Sequence, residues 1–239
     1  MVAAAADTVA VRIASGVYPV GSPLPSVRAL AAELGINPST VQVVLGRLQA
    51  VGFVEPRPRV GMVVRDYHLY GGIETCRYVF RFSQQLPELA TAMFADVLAT
   101  RLDLVLGAAT AIAGDPRRFD PSPVRQAVKQ LDLLIATAPD DSVAIARGEL
   151  HALRLLVAAT RNTIDLAVFN SVTDIVLDLP DVLHALYTDA PLHVVLWQAF
   201  VDNWEAAELD VSAIEQLGSL ARLRDKQIVE QFRAFAEPP

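Results

Sequence analysis

Between residues 24 and 64 the apolar positions follow two periods in turn. Leu30, Leu34, Ile36, Val41, Leu45 and Leu48 recur at helical spacing and can close a small core, while Arg28, Ser39, Thr40 and Gln42 are left facing outward. Phe53, Val54, Val60, Val63 and Val64 then supply two short strands around Pro56 to Arg59. The breaks fall where chain geometry requires them. Ser26 caps the first helix, and Gly35 ends it, since a residue without Cβ enters the left-handed region cheaply. Asn37 caps the next helix, Pro38 takes its first position, where a missing N–H costs nothing, and Gly52 stops it. The stretch is predicted to be helix, tight turn, helix and hairpin.

From about residue 69 the pattern becomes almost purely helical. Tyr67 to Gly72 reads as a turn-rich joint, followed by helices over approximately 73–82, 86–113, 122–137, 141–160, 163–178, 180–187, 191–207 and 211–235. Pro87, Pro116, Pro121, Pro123, Pro139, Pro180 and Pro191 mark boundaries or first turns. Leu153, Leu156, Val157, Leu166, Phe169 and Val172 form apolar stripes that point to central helices. The expected fold is mainly α. Residues 1–68 are expected to form an N-terminal winged helix-turn-helix of three helices plus a β-hairpin wing, and 69–239 a C-terminal all-α helical bundle. The apolar segment MVAAAADTVAVRIASG lacks a basic start and is read as the first helix of the winged domain.

Charge sharpens this division. The net charge is −7, but through His68 six arginines face four acidic residues, a balance of +2, which leaves −9 for the rest. A weakly cationic head on an acidic body suits a protein that brings only its head to a duplex. Asn37, Ser39, Thr40, Gln42 and Arg47 of the second helix, with Arg28 of the first, are the candidates for bases and phosphates, and Arg57 and Arg59 at the wing tip for backbone contact. A winged helix used for protein contacts is the alternative. Cys76 is the single cysteine, so no disulfide staples the chain, and a reducing cytoplasm is the expected compartment. The run HVVLWQAFV is far shorter than the ~20 residues of a bilayer span, and no membrane segment is expected.

The residues LPSVRALAAELGINPSTVQVVLGRLQAVGFV followed by RPRVGMVV resemble the N-terminal domain of the GntR superfamily of bacterial regulators. The resemblance implies that Arg28 meets phosphate or a base and that Ser39, Thr40 and Gln42 open the recognition helix. It covers about 40 residues. This chain departs from the family where Pro38 and Gln42 stand for arginines frequent in the fatty-acid branch, and near Pro58 to Arg59, where the wing's usual glycine is replaced. More weakly, DVLATRLDLVLGAATAIA and ELHALRLLVAATRN resemble the helical effector domain of the FadR-like branch, called FCD, with Arg101 on a family arginine and Asn162 on a family asparagine, which implies an effector-binding and dimerisation role for 69–239.

That alignment bears on metal binding. Most of the branch holds a divalent ion with one Asp and three His. Here the Asp position is Glu149, a His position is Leu153, and the four histidines are His68, His151, His184 and His193, with none later to supply the last helices. His151, two residues from Glu149 on one helix, diverges from it. No metal and no cofactor are expected. Two effector chemistries remain open: an organic acid gripped by Arg101 and Arg154, or a fatty acid or acyl-coenzyme A against apolar walls that include Leu153. Arg101 as an interhelix ion pair is the bland alternative.

Trp197, Phe200 and Trp204 share a helix face and suit either a ligand pocket or ordinary core. Tyr78, Phe80 and Phe82 are placed to couple the two domains. No phosphate loop, catalytic carboxylate pair or zinc spacing is present, so an enzyme is not expected. The reading is a homodimeric, ligand-responsive regulator of double-stranded DNA, a repressor by family default, on an inverted repeat. Its competitor is a ligand-independent DNA-binding protein whose helical domain only dimerises.

Overall fold

The structure, a computed structural model, describes residues 1–177 and 190–236, without the side chains of Ala190 and Phe235. The expected helix at 180–187, with Pro180 and His184, lies outside the described residues. The chain divides into two compact units, one built on Met1–Met93 and one on Phe94–Phe235.

The first unit is a winged helix-turn-helix. Helix α1 (Val2–Ala14) packs on α3 (Pro38–Val51), and α2 (Val27–Leu34) meets α3 through the tight turn. Ser26 accepts from the Ala29 N–H at 3.2 Å, and Gly35 (φ +64°) and Gly52 (φ +98°) close the two helices in the left-handed region. Val9, Ile13, Leu30, Val41, Val44, Leu48, Phe53 and Val54 form the core, each buried almost completely. Leu34 and Ile36, expected there, are only half-buried. The wing is an antiparallel pair, β1 (Val54–Arg57) and β2 (Gly61–Val64), with Val54 opposite Val64 and Arg57 opposite Gly61. Residues 21–24 lie along β2 as a partial third strand. Its Gly21 and Leu24 N–H groups donate to Val64 O and Met62 O at 2.9 and 2.8 Å.

The first compact unit extends past the wing to Met93. After the wing come α4 (Tyr67–Tyr70), where a turn-rich joint was expected at 67–72, and α5 (Ile73–Phe80), inside the helix expected at 73–82. Both are held to the winged domain by aromatic packing. The Phe53 ring lies 5.3 Å from Tyr67 and 5.7 Å from Tyr78, and the Thr75 hydroxyl donates to Val51 O at 2.7 Å, satisfying a carbonyl in the last turn of α3. Between α4 and α5 a Cβ at Gly71 would stand 2.2 Å from Tyr67 O, so the close approach admits only glycine. Tyr78 also packs on Phe82, 5.6 Å away, inside this unit.

The second unit is all-helical. Its helices are the continuing α6 (Pro87–Gly114), α7 (Ser122–Thr137), α8 (Ser142–Ala159), α9 (Thr163–Leu177), α10 (Ala190–Ala206) and α11 (Val211–Ala236), with a short 3₁₀ turn at Pro116–Arg118. Helix α7 packs on both α8 and α10, and α8 on α9. Val124, Val128 and Leu131 of α7 face Ile145, Leu150 and Val157 of α8 in the core, as helical spacing requires. Arg125 ties α7 to α10 through Asp202 and Glu205 at 2.5 and 2.8 Å. Asn162 caps α9, accepting from the Ile164 and Asp165 N–H groups.

Helix α6 bears on the expected absence of a membrane segment. With 28 residues and a mean hydropathy of 1.5 over its most apolar window, it is long and apolar enough by length and composition to cross a membrane. Asp96, Arg101 and Asp103 interrupt a helix otherwise rich in Ala, Leu and Val, so it carries no unbroken apolar run of that length. Core helices share this composition, and Phe94, Leu98 and Ile112 of α6 are fully buried.

Candidate DNA-reading face and ligand cavity

The candidate residues of the first unit gather at two places. At the start of α3 a single acceptor organises three donors. Asn37 Oδ1 receives the Thr40 N–H at 2.7 Å, the Ser39 hydroxyl at 2.7 Å and the Thr40 hydroxyl at 2.8 Å. Asn37 and Thr40 are therefore committed to the cap, and Thr40 is half-buried. The outward ridge consists instead of Ser39, Gln42, Val43 and Gly46, at i, i+3, i+4 and i+7. Val43 is 58% exposed, on a helix that buries Val41 and Val44 completely. Sequence reasoning passed over it because three valines within four residues cannot all face inward, and the pattern alone does not name the odd one.

The arginines differ in their surroundings. Arg28 on α2 is exposed and donates no hydrogen bond among the described residues. Arg47, also exposed, lies 5.8 Å from the centre of the Tyr78 ring, which Arg81 approaches to 5.2 Å. A site offered as base-reading is thus partly occupied by an aromatic contact. On the wing Arg57 pairs with Glu55 on the same strand, Nε to Oε1 at 2.9 Å, which lowers its free positive charge. Arg59 at the tip is exposed and holds φ +65°, the conformation for which glycine is the usual residue.

The second unit contains a cavity of about 580 Å³ where four helices bring stripes together without filling the space between them. Leu102, Val105, Leu106 and Ala109 of α6 face Leu153 and Leu156 of α8, and Trp197 and Phe200 of α10 face Ile214 and Leu217 of α11. This size and apolar lining are those of small-molecule sites. Two polar groups interrupt it. On one side Glu149 Oε1 contacts His193 Nδ1 at 2.8 Å and accepts from Trp197 Nε1 at 3.2 Å. On the other side Arg101 faces Asp225 at 3.7 Å, with Arg224 beside them in the wall. Burial pushes the Asp225 carboxyl above the ordinary carboxylate range, although Arg101 and Arg224 pull the other way.

Four of the six expected effector residues, Arg101, Glu149, Leu153 and Trp197, line this cavity. Two do not. Arg154 points to α9, where its Nε donates to Asn170 Oδ1 at 2.6 Å, and Trp204 is 2% exposed in the core with its indole N–H on Pro116 O. The Trp197–Phe200–Trp204 face is therefore divided along its length, since one end meets the cavity and the other packs against the 3₁₀ turn. The partner of Glu149 is His193, not the nearby His151, which is exposed. Their separation of 44 residues left no sequence signal. No group of three or more metal-ligating side chains occurs among the described residues.

A capped helix with an open outer ridge, beside a hairpin with a cationic tip, defines the first unit as a winged helix-turn-helix, an architecture that many proteins use to bind DNA. Residues 2–64 match the model of the family described as bacterial regulatory proteins, gntR family. Over 61 residues, 26% of this chain and 25% of its relative, it is 48% identical to the HTH-type transcriptional regulator Rv0494 of Mycobacterium tuberculosis. Over 97 residues, 40% of this chain and 39% of the relative, it is 34% identical to the HTH-type transcriptional regulator Mce2R of the same species. The chain thus spans between a quarter and two fifths of these relatives' lengths. Among solved structures, E. coli McbR/YncC is similar at a TM-score of 0.44 and 15% identity, over 96% of this chain and 97% of its own.

Proposed function

We propose that the chain is a transcriptional regulator that binds double-stranded DNA through α3 and the wing and whose helical unit binds a small-molecule effector. The observation that carries the DNA half is the ridge of Ser39, Gln42 and Val43, which faces solvent on a helix that buries Val41, Val44, Leu45 and Leu48 on its inner face. Gln42 suits the paired donor and acceptor of an adenine edge and Val43 a thymine methyl, while Arg28 and Arg59 suit phosphates. Such a regulator acts in the cytoplasm on an inverted repeat, as a homodimer, because a two-fold pair of heads reads a two-fold site. Val195, Leu220 and Leu223, each more than half exposed, support self-association of the helical unit. Repression is the simplest output.

The cavity favours a ligand-responsive protein over one that only dimerises, because a helical unit used purely for assembly has no need of about 580 Å³ of unfilled space. An effector shifts the DNA-bound population only as far as it binds one arrangement of the protein better than the other. The FadR-like reading, with an acyl or organic-acid effector and no metal, rests on Arg101, Leu153 and the apolar walls. Equilibrium binding of the full chain to duplex DNA across a salt series tests the DNA half. Steep loss of affinity with rising salt is expected, with a slope of about −0.9 for each neutralised phosphate. Salt-independent association, or none at all, overturns it.

A further inference from the structure

The Arg101–Asp225 pair is incomplete. Both side chains are 14% exposed, yet their closest approach is 3.7 Å, too long for a hydrogen bond. Asp225 Oδ2 is sealed from solvent and has no hydrogen-bond partner among the described residues. A buried carboxylate oxygen without a donor is costly, and the cost falls in the wall of an otherwise apolar cavity. The terminal torsion of Asp is broad, so rotation about χ2 brings either oxygen to the cavity side.

Charge limits what can complete the pair. The carboxylate of Asp225 and the guanidinium of Arg101 already stand together in the wall. Glu149 is already engaged by His193 and Trp197. An ionised ligand carboxylate reaching Arg101 would meet Asp225 on the same guanidinium, adding a second negative charge where burial already disfavours the first. A neutral group that accepts from Arg101 and donates to Asp225 satisfies both without bringing net charge into the site.

We propose that the cavity takes an uncharged amphiphile whose polar end, a hydroxyl or primary amide, bridges Arg101 and Asp225 while its apolar body fills the space between α6, α8, α10 and α11. This rests on the reading of the helical unit as an effector site and replaces an organic acid by a neutral ligand. The carboxylate side chain acts as a selectivity filter: it rewards a donor and repels an anion.

A matched probe set tests this: 1-decanol, decanamide and decanoate, each titrated into the full chain at pH 7.5 and followed by tryptophan fluorescence, since Trp197 stands in the wall. The proposal expects decanol and decanamide to bind at least about tenfold tighter than decanoate, a difference of about 1.4 kcal/mol. In Asp225→Asn, which keeps the shape of the side chain, decanoate should gain about tenfold and the preference should shrink or reverse. In Arg101→Leu, affinity for the amide should fall while Asp225→Asn restores none of it. Thermal melts of both variants establish that they are folded. Decanoate binding tighter than decanamide to the wild type overturns the neutral-ligand inference but leaves the effector site standing. No response to any probe, by fluorescence or by calorimetry, overturns both.

Discussion

Arg59 allows stability and DNA binding to be moved in opposite directions by one substitution. It stands exposed at the wing tip with φ +65°. The left-handed region costs a residue with a Cβ about 1–2 kcal/mol. Glycine removes that cost but has more backbone freedom to lose on folding, about 0.5–1 kcal/mol. Arg59→Gly is therefore expected to stabilise the winged unit by about 0.5–1 kcal/mol, and a domain of this size gains several degrees in Tm from that. The same change removes a cation from the surface offered to the phosphates, so the slope of log affinity against log salt should become shallower by about 0.9 for each wing that meets a phosphate. Arg59→Ala separates the effects: it loses the same cation but keeps the strained conformation, so DNA binding falls without any gain in Tm. Circular-dichroism melts and fluorescence anisotropy across a salt series read the two quantities on the same samples. An unchanged salt slope in both variants would refute the placement of the wing tip at phosphate, and a lower Tm in Arg59→Gly would refute the argument from backbone strain.

Asn37→Ala removes the acceptor shared by Thr40 N–H and the Ser39 and Thr40 hydroxyls, and should cost about 1–2 kcal/mol of stability, with Asn37→Asp or Asn37→Ser recovering most of it in a urea melt. Asp225 predicts a pH dependence. Its folded pKa is raised by burial against Arg101 and Arg224, so its favourable contribution is present below the ordinary carboxyl pKa and is lost as pH rises through the folded value. Asp225→Asn should thus melt above the wild type at neutral pH, with the gap closing on acidification. A gap that widens toward acid would mean that the Arg101 pairing outweighs burial.

The winged unit was legible because its signals are local. Ser26, Gly35, Asn37, Pro38 and Gly52 each impose their conformation on neighbours within a turn, and every one of them stands at the break where its chemistry placed it. The helices of the second unit were legible for the same reason, with proline and capping residues marking their ends. The packing of α4 and α5 on the winged unit was not, because it depends on Phe53 meeting Tyr67 and Tyr78, contacts that no periodicity encodes.

The sites divide along the same line. Arg101, Glu149, Leu153 and Trp197 were reachable by resemblance and by helix face, because a stripe on each helix shares one neighbour. Arg154 and Trp204 lie on adjacent faces and serve packing, a difference of one helical step that sequence spacing leaves ambiguous. Thr40 was read as a base contact because it follows the helix start, yet the same position makes its hydroxyl a donor to the cap. Asp225 was missed altogether: nothing in its own helix distinguishes it until α6 brings Arg101 opposite.

The central claim, that the outer ridge of α3 reads bases, is tested most directly by selecting bound duplexes from a randomised pool with the full chain and, in parallel, with the Gln42→Ala/Val43→Ala double variant. The account predicts that the wild type enriches one inverted repeat and that the variant retains DNA but relaxes or changes the bases at the positions those side chains meet. Enrichment of the same repeat by both proteins, or no enriched sequence with the wild type, would contradict it.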